Sequence, residues 1–204
     1  MSNRHETRLY FPTVIRECHI EKAGELKKQI MVGVENTKKT VPNMLPDSWS
    51  CELYTTLGSS TELLDQKEFA PLRDVIMEEI NEFALDLNLD IDRFPLRITD
   101  CWLNIYGEGH AQDVHNHANS VISGIYYVKA PEGSGALMVR SPNAESMFQP
   151  PVVAQDSLNM TNINIRPKEG LMILFRSFVM HAVKPNRIKD DRISIAFNAT
   201  MDVL

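Results

Sequence analysis

The stretch Trp102–Lys129, WLNIYGEGHAQDVHNHANSVISGIYYVK, decides how the chain reads. Three of the six histidines fall inside it: His110, His115 and His117. A fourth, His181, sits far downstream in FRSFVMHAVKP, and Arg192 follows eleven residues later at the head of RISIAFN. Imidazoles two apart on an extended segment point to the same side, because side chains alternate faces with a period of two. Two ligands from one strand and a third from another then cap one face of a metal ion and leave the other face open. His181 lies within the apolar run GLMILFRSFVMHAV, where a polar group without a partner would be destabilising. His110 follows Gly107 and Gly109 in a turn and reads as a surface residue.

Outward from this stretch, the texture after Pro95 is a series of short β-type runs bounded by turn residues. They are RITDCWLNIY, SVISGIYYVKA, ALMVRS, NINIRP, GLMILFRS, MHAVKP and RISIAFNATM. Strands this short and this numerous predict a β-sandwich or barrel, and histidines on separate strands suit a jelly roll with a usable interior. The proline-containing segment 140–166 reads as a lid over that interior.

The first half differs. LYFPTVIRECHI predicts a strand and a turn into a helix over 20–34, with Ala23, Leu26, Ile30 and Val34 three and four apart. Residues 36–48 read as a polar connection and 50–57 as a short strand. The clearest helix spans 65–87, with Asp65 as N-cap, Glu68 three positions on, and an apolar stripe from Phe69 to Leu87.

At 43% hydrophobic and 24% charged, the composition is that of an ordinary globular protein. The net charge of −6 argues against nucleic acid, whose phosphates favour basic surfaces. Cys18, Cys51 and Cys101 are odd in number and far apart, which predicts reduced thiols in a cytoplasmic protein. The N-terminus lacks an apolar signal region, and no run approaches the 18 apolar residues of a membrane span, so no membrane association is expected.

The residues of Ile98–Met201 resemble the Fe(II)/2-oxoglutarate-dependent oxygenases, particularly the prolyl-hydroxylase-like branch. Tyr106, Gly109, His115-x-His117 and Ile125-Tyr126-Tyr127-Val128 occur in the order of that branch's aromatic, turn, His-x-Asp and Tyr-Tyr-Leu-like strand. The wording HNHANSVISGIYYV also resembles a group of bacterial and phage-borne members. The resemblance implies a mainly β fold with N-terminal helices, a double-stranded β-helix (jelly roll, cupin-like). The length of 204 residues predicts a single domain over 1–204, with the resemblance placing the catalytic core at 98–204 and no motif covering 1–97, which reads as an N-terminal α/β elaboration. The resemblance further implies Fe(II) and 2-oxoglutarate as cofactors, and O2 plus a small-molecule or peptide substrate.

Residue by residue, His115, His117 and His181 take the metal positions. One departure stands out, since His117 occupies the place of the family's carboxylate. Asn119, two residues on, offers a second register, and Asp113 a ligand or an acceptor that orients an imidazole. Arg192 matches the base that holds the distal carboxylate of 2-oxoglutarate, and its planar fork suits that role independently. Arg187 is the alternative. Tyr127 resembles the strand tyrosine that reaches the same carboxylate; alternation allows only one of Tyr126 and Tyr127 to face inward. Asn104 and Asn198 are candidate pocket residues. Two other readings remain open at this point. A three-histidine zinc site would make the chain a hydrolase or hydratase. A jelly-roll module without catalysis would use the same residues to grip an anion.

Overall fold

Alternation of side chains along the strands organises the molecule. In the computed structural model, which describes residues 5–144 and 148–202, ten strands form two antiparallel sheets. The strands are β1 (Ile15–His19), β2 (Tyr54–Thr55), β3 (Leu96–Tyr106), β4 (Gln112–His115), β5 (Ile122–Lys129), β6 (Leu137–Arg140), β7 (Asn162–Ile165), β8 (Leu171–Arg176), β9 (His181–Val183) and β10 (Arg192–Met201). The larger sheet has the order β1-β8-β5-β10-β3-β2 and the smaller β4-β9-β6-β7. The result is a jelly roll of the double-stranded β-helix type, in which the seven predicted runs of the second half are all strands.

The N-terminal half is tied into this frame. β1 pairs with β8 at one edge of the larger sheet, and β2 pairs with β3 at the other. Two helices, α1 (Ala23–Thr40) and α2 (Ala70–Asp86), cover the sheet's outer face. Ile30 and Val34 of α1 and Leu72, Ile76, Ile80 and Phe83 of α2 are fully buried there, against Ile193, Ile195 and Phe197 of β10. Each such side chain contributes roughly 1.5–3 kcal/mol, so this face is the main hydrophobic core. Gly124 lies in the middle of β5 where a Cβ would collide with the Phe197 ring and Leu174, so only glycine lets those side chains pack across the strand. No helix of the described residues is long and apolar enough to cross a membrane.

Three sequence expectations need correction. α2 begins at Ala70, not Asp65, and Phe69 is its N-cap residue without a side-chain cap. Pro71 is tolerated in a first turn but would break a helix begun five residues earlier. Asp65 instead ends a short 3-10 turn, Leu63–Asp65. α1 runs on to Thr40, beyond the predicted end at 34, and the strand expected over 50–57 is only Tyr54–Thr55.

Candidate metal centre

β4 and β9 are neighbours in the smaller sheet, and His115 on one is the register partner of His181 on the other. His117 is not on the strand. It lies two residues past the end of β4, where its backbone N–H donates to the Ser177 carbonyl at 3.0 Å. The expectation that both histidines share one strand is therefore corrected, although the three rings still converge. Their centroids are 4.3 Å (His115–His181), 5.2 Å (His115–His117) and 5.2 Å (His117–His181) apart. One nitrogen from each lies within 4.8 Å of the other two. Among the described residues no carboxylate joins the group.

Two of the imidazoles are oriented by main-chain carbonyls. His115 Nδ1–H donates to the Asp113 carbonyl at 2.7 Å, and His181 Nδ1–H donates to the Val179 carbonyl at 3.0 Å. A carbonyl only accepts, so the proton sits on Nδ1 of each ring and Nε2 carries the lone pair that can ligate a cation, which in His115 faces the Gln112 amide nitrogen at 3.5 Å. Asp113 thus orients an imidazole through its backbone, while its carboxylate accepts from the Ser50 hydroxyl. Burial, reinforced by the neighbouring rings, pushes His117 down to about 4 and His181 down to about 3; burial also lowers His115. Neutral imidazoles at physiological pH are the ligating form. Phe175 packs 4.7 Å from His181 and Trp102 5.6 Å from His117, giving the cluster an apolar wall.

The three histidines share the lining of a small inner cavity with Arg192, the first residue of β10, which is 1% exposed. Its guanidinium donates to the Gly135 carbonyl at 2.9 Å and lies over the Tyr106 and Tyr127 rings at 4.0 and 5.5 Å. No acidic side chain pairs with it among the described residues. Its Nε and the Tyr127 hydroxyl are buried without a hydrogen-bond partner. Buried donors of this kind normally serve a partner, and a carboxylate fits both. Tyr127 is the tyrosine that faces the interior, packed with Ile125, Ile173 and Phe175, whereas Tyr126 turns to the helices. Asn104 lines the same cavity. In the orientation that satisfies its amide, it donates to Thr55 Oγ1 at 2.7 Å and accepts from Trp102 Nε1 at 3.1 Å. Arg187 is exposed, and His110 stays outside the cluster, accepting from the Gly107 N–H at 3.1 Å.

Several contributors escaped sequence reading. Gln112 accepts from the Tyr106 hydroxyl at 2.7 Å and reaches to 3.5 Å from His115 Nε2. Its place three residues before His115 was the available signal. Ser123 links Ser177 and Asn198 through its hydroxyl, at 2.8 Å each, and so connects the His117 loop to β10. On the outer side, His115 and His117 open into a pocket of 470 Å3. Its far wall comes from residues 48–57, including Trp49 and Cys51, and not from the expected lid over 140–166, of which 145–147 lie outside the described residues.

The chain has relatives in sequence and in structure. Residues 100–198 match the profile of a family described as "Putative 2OG-Fe(II) oxygenase". No curated protein matches the chain. A prolyl-4-hydroxylase from Pseudomonas putida superposes with a TM-score of 0.60 at 13% identity, over 92% of this chain and 93% of that one. HygX from Streptomyces hygroscopicus, solved with nickel, 2-oxoglutarate and hygromycin B, gives 0.61 at 13%, over 94% and 84%. The viral collagen prolyl hydroxylase of Paramecium Bursaria Chlorella virus-1, as its 2-oxoglutarate complex, gives 0.53 at 16%, over 91% and 94%. At such identities the structural likeness establishes the fold.

Proposed function

We propose, from the premise that this chain is a 2OG-Fe(II) oxygenase across residues 100–198, that His115, His117 and His181 hold Fe(II) and that Arg192 holds 2-oxoglutarate. The observation that carries the reading is the buried, carboxylate-free guanidinium of Arg192 in the same cavity as three neutral imidazoles. A zinc hydrolase needs the histidines but has no use for that arginine, and the family assignment removes the reading as a module without catalysis.

When bound, Fe(II) activates O2, and the overall reaction converts 2-oxoglutarate, O2 and a substrate C–H to succinate, CO2 and the hydroxylated product. The rest is the work of the chain. Arg192 would hold a carboxylate of 2-oxoglutarate through its fork, and the unpartnered Tyr127 hydroxyl is a second donor for it. Tyr106 stacks on the guanidinium and fixes its plane. The carbonyls of Asp113 and Val179 hold two imidazoles in the ligating tautomer. Phe175 and Trp102 give His181 and His117 an apolar wall that holds the rings in place. Residues 1–97 serve as an elaboration on a catalytic core over 98–204, within one domain. The substrate is a small molecule or a peptide side chain admitted through the outer pocket. With three unpaired thiols, a reducing, cytoplasmic setting fits the chain.

The test is spectroscopic. Fe(II) and 2-oxoglutarate added to the protein under nitrogen give a weak visible charge-transfer band, and admission of O2 releases succinate. Tight zinc binding with neither band nor succinate would mean that the three-histidine site serves hydrolysis.

A further inference from the structure

The two compartments on either side of the histidines carry opposite charge. The inner one is lined by Arg192. The outer pocket has Asp100 and Asp113 on its walls and, among the described residues, no lysine or arginine. Both residues are exposed, and the Asp113 carboxylate accepts from the Ser50 hydroxyl. Trp49 and Trp102, the only tryptophans of the chain, line the same pocket. Indole faces attract cations and pack against methylene stems. Asn198, 7% exposed, accepts from the Ser123 hydroxyl through its Oδ1 at 2.8 Å, so its NH2 is the donor that this wall offers.

We infer that the co-substrate of this pocket carries a cationic nitrogen group, an ammonium or guanidinium, seated between Asp100, Asp113 and the two indoles, with an acceptor oxygen at Asn198. The inference rests on the oxygenase reading only for the word co-substrate; the pocket's preference stands on its own lining. A dianion is drawn inward to Arg192, and the acids of the outer pocket repel a second anion. The pocket's 470 Å3 suits one small amine or one long basic side chain. Both share the chemistry, and the experiment separates them.

Because both tryptophans line the pocket, intrinsic fluorescence reports its occupancy. The full-length chain, with Fe(II) and 2-oxoglutarate under nitrogen, is titrated with agmatine, N-acetyl-lysine amide, N-acetyl-arginine amide, the neutral N-acetyl-norleucine amide and the anionic N-acetyl-glutamate amide. At least one cationic probe is expected to saturate the signal at a concentration roughly fivefold to tenfold below the neutral probe. Asp100→Asn and Asp113→Asn each remove most of that preference without unfolding the chain. Saturation by agmatine alone identifies a free amine, and saturation by the amides a peptide side chain. Equal binding of neutral and cationic probes, no saturation by any probe, or preference unchanged in both variants overturns the inference. The charge-transfer band, read in the same samples, keeps the two readings apart. Its absence alongside a cation preference sinks the oxygenase and leaves the cation site. Its presence without a preference sinks the cation site alone.

Discussion

Arg192 and Tyr106 are register partners on β10 and β3, and the guanidinium carbon lies 4.0 Å from the Tyr106 ring centroid. The pair faces inward because 192, 194, 196 and 198 share one side of β10, as 102, 104 and 106 share one side of β3. This places the cation in the jelly roll's interior against an aromatic face, with no carboxylate paired to it among the described residues.

Arg192→Met keeps the apolar stem and removes the fork. Affinity for 2-oxoglutarate is expected to fall by about 2–5 kcal/mol, or about thirty-fold to several thousand-fold. Iron binding stays intact. Titration of 2-oxoglutarate against the variant checks it, and unchanged affinity removes Arg192 from the site.

Tyr127→Phe separates stability from binding. The Tyr127 hydroxyl is buried and unpartnered, so its removal leaves the cofactor-free protein as stable or about 1 kcal/mol more so. The same change lowers 2-oxoglutarate affinity by about 0.5–1.5 kcal/mol. Melting curves with and without 2-oxoglutarate show both signs.

His115→Ala and His181→Ala are each expected to lose most iron, whereas His110→Ala retains it. The first two rings belong to the cluster, and His110 lies outside it. Iron content of the three purified variants decides the matter; equal content would leave the site without its proposed ligands.

His117→Asp tests the departure from the family's pattern. An aspartate supplies a hard oxygen suited to Fe(II), so the variant is expected to bind iron and turn over 2-oxoglutarate, while His117→Ala binds iron weakly. If Asn119 completes the site instead, Asn119→Ala loses iron and His115→Ala keeps it. Iron stoichiometry measured side by side distinguishes the registers.

The metal-free protein is expected to lose stability in acid. Burial holds His181 at about 3, well below the ordinary imidazole value of 6.5, so the unfolded chain binds its proton first. More protons on the unfolded state means that stability falls as pH drops through the window from 6.5 to about 3, by at most about 1.4 kcal/mol per pH unit from this residue. Melting temperatures across that range, compared with His181→Ala, are expected to show a shallower slope in the variant.

The sequence makes seven of the eight strands after Pro95 legible, all but the short β4, along with the likeness carried by Tyr106, His115-x-His117 and Arg192. Period-two alternation and turn residues are local properties, and they survive without knowledge of the fold. It also bounded the choice at Tyr126 and Tyr127, since adjacent residues on a strand face opposite sides. Which of the two looks inward depends on which face the helices α1 and α2 cover, and that is a matter of packing between distant segments. The convergence of His117 was decided the same way. Strand periodicity does not reach it, since β4 ends at His115, and it is the Ser177 carbonyl on a distant segment that holds its loop in place. The pocket wall from Trp49 to Leu57 and the bridge from Ser123 to Asn198 are contacts between residues far apart in the chain. Local pattern carries no record of such contacts, and packing alone brings them about.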